Sequence, residues 1–206
     1  MLSERAFRPI DYVKISIFGA GLSFLWPSLH TLIIPLRLLE FTPEALKNTY
    51  LGILTFCGSM VAVLIQPLAG AISDRANFHL GRRRPFILVG TLMALLFLPS
   101  ISLSGTFLFL LLGYCLLQVA CNIAQGPFQA FIPDLAPQNR KGVASGAKNL
   151  AEVVAGVAFL RVVAYFMDVY SSGGGEMWLW LAIGFPGVVL LGTMITTVLT
   201  VKEQPP

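Results

Sequence analysis

Charged residues are scarce in this chain of 206 residues, since Asp, Glu, Lys and Arg together make up only 12% of it. Soluble domains carry roughly 25%. Apolar residues make up 56% of the sequence, and the mean hydropathy is +0.78. So little charge with so much apolar surface excludes an ordinary soluble domain.

Histidine and cysteine are also rare, with two and three residues respectively. His30 and His79 stand in no spacing typical of metal ligands or of a nucleophile and its base. Cys57, Cys115 and Cys121 lie inside apolar stretches, which is typical of buried thiols and not of a disulfide framework. We therefore expect no metal site, no cofactor and no enzymatic activity.

The apolar residues that dominate the chain form six long blocks separated by short charged stretches. A helix needs about 20 apolar residues to cross a hydrocarbon core of about 30 Å. The blocks predict six transmembrane helices, over residues 15–39, 50–72, 85–103, 106–132, 143–167 and 177–201. The predicted fold is an all-α integral membrane bundle over residues 15–201, with short segments over 1–14 and 202–206.

The basic residues are distributed unevenly between the two sides that six spans define. The N-terminus, the loops after helices 2 and 4 and the C-terminus share one side, which holds ten basic residues against one, Lys47, on the other. The ten are Arg5, Arg8, Lys14, Arg75, Arg82, Arg83, Arg84, Arg140, Lys141 and Lys202. Because basic loops favour the cytoplasm, both termini are predicted to be cytoplasmic, in a multi-pass protein of the plasma membrane. The net charge of +4 therefore indicates the lipid bilayer as a partner, and no nucleic acid.

Three of the helices carry a single polar line on an otherwise apolar surface. The lines are Ser16, Ser23, His30 and Arg37 in helix 1; Thr55, Ser59, Gln66 and Ser73 in helix 2; and Gln118, Asn122, Gln125 and Gln129 in helix 4. The four amides of helix 4 fall within about 60° of arc. Polar side chains are costly toward lipid, so the lines predict a substrate pathway suited to a small neutral polyhydroxylated molecule. The alternative is that they form hydrogen bonds between packed helices.

Helix 5 carries ionisable groups at membrane depth. Lys148 and Glu152 are four residues apart and share a face, with Asn149 close by. Glu152 lies roughly 14 Å from the start of its helix, near the membrane midplane. An acid at that depth indicates a functional group, such as one that couples transport to a proton. A structural pair with Lys148 is the alternative.

The loop after helix 2 contains the most specific motif of the chain. Its members are Gly70, Asp74, Arg75, Gly81, Arg82, Arg83 and Arg84, followed by Pro85. This order resembles the loop 2–3 signature of the major facilitator superfamily. The long interval between Asp74 and Gly81 is similar to that of the sucrose carriers, among the glycoside–pentoside–hexuronide cation symporters. The stretches over residues 122–137 and 140–146 resemble the helix 4–5 region of the same carriers.

The resemblance implies a function for the whole molecule and a separate place in it for each of two halves. It implies secondary active transport, as a proton-coupled symporter of a sugar or glycoside, with this chain as the N-terminal half of a twelve-helix carrier. A complementary C-terminal six-helix half would then be the partner, and substrate would bind between the halves. Residues 202–206 resemble the start of the central linker. The alternative is a six-helix scaffold or regulatory membrane protein without transport.

The loop after helix 2 would act as a conformational switch in such a carrier. Asp74 can accept charge-assisted bonds from Arg75 or from a neighbouring helix, and Gly70 is expected to let helix 2 approach a neighbour closely. The alternative is that Arg82, Arg83 and Arg84 only set topology and bind anionic headgroups.

One departure from the family pattern concerns the coupling ion. Sodium-using relatives of the melibiose type carry two acids on helix 2, the second just before a proline. The matching positions here are Ala62 and Gln66, before Pro67. The resemblance therefore implies proton coupling or uncoupled transport and no sodium site.

Overall fold

The computed structural model describes residues 9–78, 80–201 and 203. Its described part contains six helical spans long and apolar enough to cross a membrane. They are α1 (Ile10–Leu39), α2 (Glu44–Arg75), α3 (Arg84–Leu103), α4 (Phe107–Leu135), α5 (Gln138–Gly174) and α6 (Glu176–Thr200). This confirms the all-α, six-span fold class. The predictions made for Arg5, Arg8, His79 and Lys202, and for most of the two terminal segments, lie outside the described residues.

Several spans contain short irregular turns. In α1, regular helix Pro9–Pro27 is followed by a π-helical turn, Ser28–Ile33, and then by helix Ile34–Leu39. In α4, helix Phe107–Gln129 is separated at Ala130 from helix Phe131–Leu135. The remaining bounds are Glu44–Leu46 and Lys47–Arg75 in α2, Arg84–Phe97 and Ser100–Leu103 in α3, and Gln138–Arg140, Lys141–Val169 and Tyr170–Gly174 in α5.

Local sequence signals explain where the spans begin and end. Pro85 lies in the first turn of α3, where its missing N–H leaves no hydrogen bond unmade. The Thr106 side chain accepts the backbone N–H of Phe109 at 3.3 Å and so caps α4. Between α5 and α6, Gly175 has a φ of 90°, a conformation that favours glycine.

The six spans pack as two related groups of three. α1 packs against α5 and α6, while α4 packs against α2 and α3. α3 also contacts α6, and α1 meets α4 where the rings of Phe18 and Phe128 pack edge to face at 5.2 Å. Exchanging α1–α3 with α4–α6 therefore reproduces most of the contacts, as an inverted repeat within a transporter half does.

The closest approach of α2 to α4 is at Gly126. A Cβ built there would collide with the carbonyl oxygen of Gln66 and lie 3.1 Å from the backbone nitrogen of Gly70. A Cβ built on Gly70 would meet nothing within 4 Å. Gly126 therefore permits this approach. The predicted role of Gly70 stays a prediction, because among the described residues no neighbour lies close to it on that side.

The outward faces of α2 and α5 are apolar and uncovered. On α2, Val63 and Leu64 are 65% and 64% exposed, and on α5 Val153 and Val157 are 64% and 68% exposed. A membrane protein exposes such surface to lipid or to another protein. Of the six described spans, α2 and α5 are the least buried within the bundle, at 11% each.

Candidate functional site

A cavity of about 110 Å³ lies between α1, α4 and α5. Its polar lining comes from Ser23, Gln125, Gln129, Lys148 and Glu152, and its apolar lining from Gly19, Leu22, Trp26 and Phe128. Ligand pockets usually enclose about 300–1,000 Å³. The cavity is therefore smaller than a usual ligand pocket.

Lys148 and Glu152 form the ion pair that their spacing predicts, with Nζ 3.1 Å from Oε1. Both side chains are mostly buried, at 16% and 21% exposed. The ammonium lies 5.7 Å from the centroid of the Phe128 ring, a cation–π distance. A Cβ on Gly19 would overlap the Glu152 carboxylate, so the carboxylate lies directly against the α1 backbone.

The amide line of α4 is divided between two environments. Gln125 and Gln129 line the cavity as predicted, whereas Gln118 and Asn122 are only 7% and 2% exposed and do not line it. α2 covers Gln118, since a Cβ on Gly58 would lie 3.0 Å from its Nε2. In this conformation these two amides do not reach the cavity, so their place in a substrate pathway stays a prediction.

The two buried amides instead belong to a hydrogen-bond chain between α4 and α1. Asn122 Nδ2 donates to the Gln118 backbone and side-chain oxygens at 2.8 and 3.0 Å. Gln118 Nε2 donates to the Tyr114 hydroxyl at 2.8 Å, and that hydroxyl shares a 2.8 Å hydrogen bond with His30 Nε2. Nothing in the sequence indicated Tyr114, which joins the polar lines of the two helices.

The other predicted pathway residues lie outside the cavity. Ser59 is exposed on α2, and its hydroxyl donates to the Thr55 carbonyl at 2.8 Å. Gln66 is half-buried, and Asn149 is exposed on α5. All three remain predictions, because they lie on helices whose faces a second half would cover.

At one end of the bundle, which we call the Arg83 end, the predicted switch residues form a charge cluster. Arg83, 6% exposed at its side chain, lies 3.0 Å from Asp74 and 2.6 Å from Asp134 through Nη2, and its Nε donates to Asp134 at 2.7 Å. Arg82 also contacts Asp134, at 2.9 Å. One buried guanidinium therefore links the start of α3 to the ends of α2 and α4.

The sequence predicted that Asp74 pairs with Arg75 or with a group on a neighbouring helix, and its partner is Arg83. Arg75, proposed as one partner, is exposed and makes no ion pair with any residue that the structure describes. The backbone N–H of Arg84 donates to the Glu203 carboxylate. Its side-chain Nε is buried without a hydrogen-bond partner among the described residues.

Glu203, which sequence reasoning did not single out, caps the start of α3. Its carboxylate accepts the backbone N–H groups of Arg82, Arg83 and Arg84 at 2.6, 3.0 and 2.9 Å. A carboxylate is favoured there by the unpaired N–H groups of a helix N-terminus. Gly81 has a φ of 105°, and a Cβ there would lie 3.0 Å from the carboxylate carbon, so the contact depends on this glycine.

The opposite end, which we call the Arg37 end, is held by a second buried arginine. Arg37, predicted to continue the polar line of helix 1, is 7% exposed and does not reach the cavity. It donates to the carbonyl oxygens of Ser102 and Ser104 at the end of α3 and pairs with Glu40. The Tyr170 hydroxyl on α5 donates to Glu40 at 2.5 Å. Arg37 is therefore a structural tie between α1, α3 and α5.

Comparison with known proteins places these features in a family. The family described as "MFS/sugar transport protein" matches residues 31–206. Sucrose transport protein SUT2 of Oryza sativa subsp. indica is 30% identical over 184 residues, which are 78% of this chain and 35% of that protein. Sucrose transport protein SUC4 of Arabidopsis thaliana is 26% identical over 164 residues, or 70% of this chain and 31% of that one. The chain thus spans about a third of the length of these relatives.

Proposed function

The chain belongs to the MFS/sugar transport protein family, a family of transporters and not of enzymes, and from this premise we propose that it is the N-terminal half of a proton-coupled sugar or glycoside symporter. The observation that carries the proposal is the cavity beside the Lys148–Glu152 pair. Amides, a hydroxyl, an aromatic ring and a carboxylate converge there, and these groups recognise a neutral polyhydroxylated molecule. The similarity to sucrose transport proteins supports a glycoside as substrate.

The second wall of the site would come from a C-terminal six-helix half. In transporters of this superfamily, substrate binds near the midplane between two halves that rock against each other. The uncovered apolar faces of α2 and α5 are suited to such a neighbour, and the small, open cavity needs one. Gln66, Ser59 and Asn149 would then face the interface or the pathway.

The switch would work through the Arg83 end. Arg83 holds Asp74 and Asp134 together in this conformation, and both carboxylates remain partly exposed, at 57% and 33%. A charge-assisted pair at that depth can form in one state and open in another. Glu152 is the one cavity-lining carboxylate among the described residues, so it is the proposed site of proton exchange.

We expect uptake to require both halves. Expressed alone, the chain should accumulate no labelled sucrose above background, because it supplies one wall of the site. Expressed with the complementary C-terminal half, it should accumulate sucrose when the external pH is lowered. Uptake by the chain alone would contradict the two-wall proposal. Stable expression of both halves without uptake would favour the scaffold reading.

The proposal also places the Arg83 end, with both termini, in the cytoplasm of a plasma membrane protein. Asn77 and Ser172 are exposed residues at opposite ends of the bundle and suit the introduction of one further cysteine each. In intact cells, a membrane-impermeant maleimide should label Ser172→Cys at once and Asn77→Cys only after permeabilisation. The unaltered chain, with its three native cysteines, gives the background. The reverse pattern would invert the topology.

A further inference from the structure

We infer that the Phe128 ring holds the Lys148 ammonium while Glu152 carries the transported proton. The inference rests on the proposed function and assigns a positioning residue to its coupling step. In this structure the ammonium lies between two groups, 3.1 Å from Glu152 Oε1 and 5.7 Å from the centroid of the Phe128 ring. A lysine placed in this way has a second partner when the first is neutralised.

The ion pair cannot take up a proton without leaving a cation inside the bundle. When Glu152 accepts a proton from water in the cavity, a carboxyl O–H bond forms, the ion pair is lost and Lys148 keeps all its own protons. The site therefore gains one positive charge. Both side chains are mostly buried, and a buried ammonium without a partner is unfavourable. Another group must hold the ammonium for protonation to proceed.

No second carboxylate is available to hold it. Among the described residues that line the cavity, Lys148 and Glu152 are the only charged ones, and the lining from α1 and α4 contains no titratable group. The other helix packed against α5 is α6, whose single titratable residue, Glu176, lies at its first position. The partner that remains for the ammonium is the Phe128 ring, since a cation is attracted to an aromatic face within about 6 Å of its centroid, most strongly where water is excluded.

The ring and the carboxylate are held in place, whereas the ammonium can move. The Phe128 ring is 2% exposed and packs edge to face with Phe18 and Phe131. A Cβ on Gly19 would overlap the Glu152 carboxylate and lie 3.0 Å from Phe128 Cε1, so the α1 backbone lies against both groups. The lysine ammonium is carried on a flexible four-carbon stem.

The ring therefore favours the protonated form of the pair. While Glu152 is ionised, its negative charge opposes the attraction between the ammonium and the electron-rich face of Phe128. Once Glu152 is neutral, that attraction is unopposed and the ammonium moves toward the ring. Loss of the proton on the other side of the membrane draws the ammonium back to the carboxylate.

The first test weakens the attraction of the ring with little change in its size. Phe128 is replaced by phenylalanine analogues that carry one, two or three ring fluorines, which withdraw electron density from the face. In the assembled carrier, this chain with its C-terminal half, the external pH that gives half-maximal sucrose uptake should fall stepwise, by about 0.5–1.5 pH units in all. The same series at Phe131, a buried ring with no cation over it among the described residues, is the matched control and should cause no shift.

The second test needs no transport. Infrared spectra of the purified chain record the C=O stretch of protonated carboxyl groups, and the band that Glu152→Gln removes belongs to Glu152. Fluorination of Phe128 should move the appearance of this band to lower pH by the same amount as it moves uptake. In the Lys148→Gln background the fluorinated and unaltered rings should give the same titration, because no cation remains to be attracted.

The outcomes separate this inference from the proposed function. If the unaltered carrier takes up sucrose but fluorination at Phe128 leaves the half-maximal pH unchanged or raises it, the role of the ring is wrong and the transport function stands. A shift that persists without Lys148 would mean that the ring acts directly on Glu152, which also overturns the inference. If the unaltered carrier takes up no sugar, the proposed function fails and the coupling role of Phe128 falls with it, whatever the infrared titration shows.

Discussion

Replacing Arg83 with Met is expected to lower the free energy of unfolding by about 2–4 kcal/mol. The buried guanidinium bridges Asp74 and Asp134, and its loss leaves two carboxylates close together without their shared cation. The loss is limited because both carboxylates can still reach water. Thermal unfolding of the purified protein, followed by tryptophan fluorescence, measures it.

Arg75→Met is the matched control for this prediction. It removes the same charge from the same loop, but Arg75 is exposed and has no ion pair within the described part of the chain. Its effect should stay within about 0.5 kcal/mol, as for surface substitutions generally. Equal losses at the two positions would mean that loop charge, and not the buried contact, stabilises this end.

A double-mutant cycle tests how much of this stability loss comes from the Arg83–Asp134 contact. If the Arg83–Asp134 pair carries most of the effect, Asp134→Asn should cost much less stability in the Arg83→Met background than alone, because its partner is already gone. Additive losses would show that the two residues act independently, and the switch proposal would lose its structural basis.

Glu152→Gln is expected to abolish sugar accumulation driven by a pH gradient in the assembled carrier. Glutamine keeps the shape of the side chain and its hydrogen bonds but cannot take up or release a proton. Accumulation should fall to the equilibrium ratio of about one, while exchange of internal for external sugar continues, since exchange needs no net proton movement. Labelled sucrose uptake with and without an imposed pH gradient measures the first effect, and counterflow measures the second.

The control for Glu152 is a carboxylate of the same type outside the cavity. Glu176, exposed at the start of α6, suits this purpose, and Glu176→Gln should leave both activities unchanged. Accumulation that survives in well-folded Glu152→Gln protein would remove Glu152 from the coupling step. Loss of folding in that variant, with transport intact in any residual protein, would favour a structural pair with Lys148.

The spans themselves were predictable because hydrocarbon thickness imposes a length on every crossing segment. Their ends were less so: α5 includes a last turn, Tyr170–Gly174, beyond the predicted end of helix 5 at residue 167. Backbone hydrogen bonding extends a helix beyond its apolar block wherever the next residues permit it. Gly173 and Gly175, with φ of 89° and 90°, then turn the chain between α5 and α6.

The polar lines predicted which residues share a face but not what covers that face. Gln118 and Gln125 lie on one arc of α4, yet α2 covers the first while the second lines the cavity. The difference arises because Gly58 of α2 lies against Gln118, and periodicity within one helix carries no information on its neighbours. Phe128 was overlooked for a related reason: it follows Gln125 by three residues, on the same face, but an apolar ring does not register in a search for polar groups.

Glu203 had no signal in the sequence at all. A carboxylate in a short polar tail is usually solvated, and only the three-dimensional path of the chain after α6 brings it to the start of α3. The motif in the loop after helix 2 predicted a charge cluster, but it could not supply partners that lie 50 to 120 residues away along the chain, such as Asp134 and Glu203.

The two buried arginines determine which movements of the helices break contacts inside the bundle. Arg37 ties α1, α3 and α5 at one end, and Arg83 ties α2, α3 and α4 at the other. A distortion within the bundle would have to break one of these ties, whereas a displacement along the outer faces of α2 and α5 breaks neither. Because the two ties lie at opposite ends and share α3, α1 to α5 are expected to tilt together when a neighbour presses on one of those faces, until the Arg83 pairs open.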